Sequence, residues 1–90
     1  MSQAIVDPAE LRRFAHQLKQ FNEELRDRIT VLHGQVVGLN DSWRDQEHAR
    51  FAQAFEETMH VVEAFLASAD EHVPFLLRKA EKVEQYLQQR

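Results

Sequence analysis

Leu11, Leu18, Leu25, Leu32 and Leu39 recur every seventh residue through the first half of the chain, with Phe14, Phe21, Ile29 and Val36 in the turns between them. At about 100° per residue these nine positions fall within roughly 40° either side of one line, so they predict a helix with one narrow apolar seam. A second series, Phe51, Phe55, Met59, Val62, Leu66, Ala69 and Val73, advances by three or four residues and predicts another helix. The run Asp7-Pro8-Ala9-Glu10 supplies a start signal for the first: an N-cap acceptor, a proline whose missing amide costs nothing at the first helical position, and an acid in the first turn. Between the seams stands Gly-Leu-Asn-Asp-Ser-Trp, where Gly38 or Asn40 can end one helix and Ser42 can cap the next, with Asp45 three residues on.

The pattern therefore predicts one domain over residues 1–90: a helix over 8–39, a turn at 40–42 and a helix over 43–88, kinked near Pro74. So short a connection makes neighbouring helices antiparallel, giving an all-α two-helix hairpin. Folding back at residue 41 would set Pro74 beside Pro8 and leave an overhang carrying Leu76, Leu77, Val83 and Leu87, with only Ile5 and Val6 near enough to cover it. A second chain is the simplest cover. Val31, Val61, Phe65 and Phe75 also lie off the seams, and the expectation is a hairpin that dimerises into a four-helix bundle.

Composition strengthens the case for a partner. Ninety residues bury a thin core, and with no cysteine the chain has neither disulfides nor thiolate metal sites to reinforce it. No apolar run approaches the roughly 20 residues that span a bilayer, and the opening Met-Ser-Gln-Ala-Ile lacks the form of a secretory signal. A net charge of −4 argues against nucleic acid as a partner. By segment the charge is −1 over residues 1–41, −5 over 42–72 and +2 over 73–90, which ordinary solvated faces explain.

Candidate chemistry is sparse. Glu57 and His60 have the Glu-x-x-His spacing of bundle metal sites, but both point away from the seam, so no metal is expected. His48 falls on the apolar line beside Asp45 and Glu47; it reads as a histidine packed at the end of the bundle with one nitrogen hydrogen-bonded, or else as a pH-sensitive contact. His16, His33 and His72 are scattered. Ser42 and Ser68 have no histidine at a nucleophile's spacing, and no glycine-rich phosphate loop occurs. No catalytic residue, cofactor or enzymatic activity is expected. Gly34 and Gly38 face away from the seam; they either let another chain approach closely or, the reading preferred, weaken the end of the first helix.

With its length, its paired helices and the single tryptophan in the central turn, the chain resembles the WxG family, the ESAT-like (early secreted antigen) substrates of type VII secretion. Trp43 stands where the family places its turn tryptophan, and Phe51, eight residues on, matches the aromatic that opens the second helix. Two positions depart from the pattern: Asp45 replaces the family glycine two residues after tryptophan, and Arg90 stands where the acidic residue of the export signal would follow Tyr86. The resemblance implies a non-enzymatic hairpin protein that pairs with a second copy or with a sister hairpin protein and meets a secretion ATPase. It further implies a cytoplasmic protein exported without a signal peptide. A homodimer is expected ahead of a heterodimer on symmetry grounds. A cytoplasmic helical adaptor or chaperone-like module with no secretion role stays open beside it. Trp43 either borders a surface used by another chain or plugs the end of the bundle.

Overall fold

A computed structural model describes residues 6–89; Ile5 and Arg90, both invoked above, lie outside the described residues. Helix α1 runs from Pro8 to Gly38, a 3₁₀ turn from Leu39 to Asp41, and helix α2 from Gln46 to Gln88; no strand occurs among the described residues. The two helices lie side by side as a hairpin in a rod measuring 68 × 24 × 15 Å.

Asp7 caps α1 as its position predicts, its carboxylate accepting the Ala9 amide at 2.9 Å with Pro8 in the first turn. The start of α2 differs from the expected one. Asp45, and not Ser42, has the extended backbone of an N-cap, and its carboxylate accepts the His48 amide at 3.0 Å. Ser42 instead donates its own amide to the Leu39 carbonyl at 3.1 Å, closing the 3₁₀ turn. Neither glycine makes a left-handed cap: α1 runs through Gly38, and no described residue has positive φ. Helix α2 continues unbroken through Pro74, whose missing amide leaves the Asp70 carbonyl without its intrahelical donor.

Because the connection extends to Asp45, the chain folds back several residues later than expected, and the register shifts. A fold at residue 41 would put Asp70 opposite Arg12. The structure places Asp70 against Asn22 and Arg26, while Arg12 meets Glu84, far beyond Pro74. The expected overhang is therefore absent: α1 accompanies the last turns of α2, and Leu76, Leu77, Val83 and Leu87 are half-buried within a single chain.

The core is thin and made largely of small residues. Ala15 and Ala80 are fully buried, Leu66, Ala69, Val36 and Val73 nearly so, and Asn22 is the largest side chain wholly removed from solvent. Leu11, Leu18, Leu25, Ile29, Phe55, Met59 and Val62 are half-buried, whereas Phe14, Phe21 and Leu32 remain exposed. The buried line of α1, through Ala15, Asn22 and Val36, is turned by roughly 50° from the centre of its apolar line. Alanine at 15 and 80 lets the backbones approach closely, and that contact sets the helix rotation.

Candidate functional site

The helix rotation gives the hairpin two unlike sides. On one, long polar side chains bridge α1 and α2. Arg12 Nη1 and Nη2 donate to the two carboxylate oxygens of Glu84 at 3.1 and 2.6 Å. Arg26 Nη2 donates to Asp70 Oδ2 at 2.8 Å, and Asn22 Nδ2 donates to Asp70 Oδ1 at 3.0 Å. His33 Nε2 meets Glu56 Oε2 at 2.6 Å. The Arg12 guanidinium holds the Glu84 carboxyl below its ordinary range, and Arg26, then Asn22, do the same for Asp70. Burial opposes both shifts without overcoming them.

On the other side α1 presents the unused edge of its apolar line: Phe14, Phe21, Leu32 and Leu39, all substantially exposed. At 100° per residue, Phe65, Leu76, Val83 and Leu87 of α2 turn to this same side of the hairpin. Together they form an apolar strip along the rod, and Phe51 extends it to the turn. Leu77 turns the other way and, with Lys19, Asp70 and Val73, lines a groove on the polar side.

At the turn the aromatic residues form a chain of neighbouring rings, tilted against one another except for the stacked pair His33 and Phe55. The Trp43 indole lies 4.9 Å from the His48 ring and 6.1 Å from Phe51; Phe51 lies 6.1 Å from Phe55, and Phe55 6.2 Å from His33. Trp43 is held by its amide, which donates to the Leu39 carbonyl at 2.8 Å, and is half-buried. His48 beneath it is only 3% exposed. The nitrogen partner expected for His48 is missing: both ring nitrogens are buried and neither has a hydrogen bond, with the Trp43 ring against the imidazole. Asp45, where the resemblance looks for glycine, is the cap of α2, and the His48 amide is the main reason its carboxyl titrates below the ordinary range, with the Trp43 indole and the Glu47 amide adding to it.

Among the described residues no three metal-ligating side chains converge, and His60, the sharpest candidate, lies exposed with Nδ1 3.8 Å from Glu63. His33 was missed from sequence: its partner Glu56 lies on the other helix, in a register that the turn had to set first. His72 likewise has a local role, Nδ1 against the Ser68 carbonyl at 2.8 Å and its ring edge-on to Phe75. What the arrangement offers is surface: an apolar strip on one side and an aromatic cluster at the turn.

A family model described as "Proteins of 100 residues with WXG" matches residues 3–86. Neither curated proteins nor solved structures gave a significant match.

Proposed function

Because the chain belongs to the WXG100 family, we propose that it works as a non-enzymatic hairpin substrate or partner in a type VII-like secretion system, pairing through its apolar strip into a four-helix bundle. The observation that carries the pairing is the strip itself. Phe14, Phe21, Leu32 and Phe65 are about half exposed on one side of a hairpin whose own core is thin, and a second hairpin laid there would remove them from water. Leu76, Val83 and Leu87 lengthen that surface toward the open end. A second copy is the preferred occupant, with a sister hairpin protein as the other, and a secretion ATPase is the machine such a pair would meet. Export would then need no signal peptide; no helix among the described residues is long and apolar enough to cross a membrane.

Two measurements test the two halves of this reading. Sedimentation of the pure protein at micromolar concentration should give the mass of two chains, and a folded, monodisperse monomer overturns the homodimer. Deleting the secretion ATPase of the source organism should remove the protein from the culture medium while leaving it in cells. Equal amounts in the medium with and without the ATPase overturn the secretion half. Asp45 and Arg90, which depart from the family's turn and export signals, favour a second reading as a cytoplasmic adaptor. Retention in the cytoplasm of both strains supports it.

A further inference from the structure

The last third of α2 sorts its charges by side. Its two acids turn toward α1: Glu84 is paired with Arg12, and Glu81 acts on the same guanidinium. Its cations turn out. Phe75, Arg78, Lys79, Lys82 and Tyr86 lie within roughly 50° of one line, opposite the buried line through Leu66, Ala69, Val73 and Ala80. Arg78, Lys79 and Lys82 are exposed, and among the described residues none has a carboxylate within 4 Å, in contrast to Arg12 and Arg26. The aromatic residues at the two ends of the line, Phe75 and Tyr86, are 54% and 60% exposed. Three cations against two acids give residues 73–89 a charge of +1, and Arg90, outside the described residues, brings the segment to the +2 read from the sequence.

We infer that this ridge docks the open end of the hairpin on an anionic lipid bilayer, with Arg78, Lys79 and Lys82 on lipid phosphates and Phe75 and Tyr86 seated in the interface. Basic residues interleaved with aromatics on one helix face suit that boundary, where rings bury their apolar bodies and cations keep their heads among phosphates. The ridge is convex and straight, about 16 Å from Phe75 to Tyr86 at 1.5 Å per residue. Such a line meets a plane along its length, whereas a folded acidic protein would have to supply a groove to match. Glu57 and Glu71 stand on the same line toward the turn, Glu71 one turn before Phe75, so docking by the open end requires the rod to tilt and lift them, with salt screening over about 8–10 Å limiting their repulsion. The centre of the ridge lies roughly 110° round α2 from the apolar strip, with Lys79 at the edge nearest it.

The test is co-flotation of the full chain with vesicles of phosphatidylcholine alone or mixed in equal parts with phosphatidylglycerol. Binding is expected only to the mixed vesicles and should fall as salt rises. Replacing the ridge cations together (Arg78→Gln, Lys79→Gln, Lys82→Gln) should weaken partition on the order of a hundredfold, about fivefold for each cation. A control with the same net charge (Arg13→Gln, Lys19→Gln, Arg28→Gln) should bind nearly as the parent does, and Phe75→Ser with Tyr86→Ser should bind less. All these side chains are exposed, and unchanged helical circular dichroism verifies the fold. No binding to mixed vesicles, undiminished binding of the ridge variant, or equal loss in the control each overturns the inference. Binding to poly-glutamate but not to vesicles overturns it too, and gives the ridge to an acidic protein.

Discussion

Asp45 shows how one substitution in a turn is absorbed. Where the family's turn has glycine, this chain has an acceptor whose carboxylate takes the His48 amide and starts α2. The backbone there is extended, not left-handed, so glycine's conformational freedom is not required. Asp45→Ala should lower the melting temperature by roughly 4–8 °C through loss of the cap, Asp45→Asn should keep it, and Asp45→Gly should fall between. Thermal melts followed by circular dichroism separate the three, and an alanine variant as stable as the parent would show that the cap contributes nothing. The sequence pointed to this turn but favoured Ser42 as the cap. Both residues are good N-caps, and only the hydrogen bonding of the 3₁₀ turn, which takes up the Ser42 amide, decides between them.

At the scale of the helices, the existence of α1 and α2 and the start of α1 were legible because apolar periodicity and the Asp7-Pro8 start are local signals. Register and rotation were not. Register depends on where the turn ends, and a shift of a few residues moved Asp70 from Arg12 to Asn22 and Arg26. Rotation depends on close approach, which favours Ala15 and Ala80 at the contact over the bulkier phenylalanines nearby. The contact is therefore intolerant of bulk: Ala80→Leu should destabilise the hairpin by about 1–3 kcal/mol, and urea unfolding would show it. Gly34 is the converse case. A methyl group there would meet nothing within 4 Å, so Gly34→Ala should stabilise by about 1 kcal/mol through helix propensity. A loss of association in that variant, with the stability gain intact, would instead mean that a partner backbone approaches Gly34.

Over the whole molecule, the hairpin is held by a thin core on its axis and by carboxylates along one side. Asp45, Asp70 and Glu84 are all held below their ordinary range in the folded state, by the His48 amide, Arg26 and Arg12 respectively. A carboxyl whose folded value is depressed adds stability above its unfolded value, about 4, and loses it as the pH falls through the folded value. The melting temperature should therefore hold from neutrality to about pH 5 and drop below pH 4. Since all three groups are near the surface, salt should shallow the drop. Combining Asp70→Asn with Glu84→Gln removes the two cross-helix arginine–carboxylate pairs and leaves Asp45 capping α2. That variant should be less stable at neutral pH and converge on the parent as the pH falls through the depressed folded values of the parent's own carboxylates. If the parent keeps the steeper acid profile in high salt, or if the double variant loses as much stability below pH 4 as the parent does, the acid sensitivity arises elsewhere in the chain.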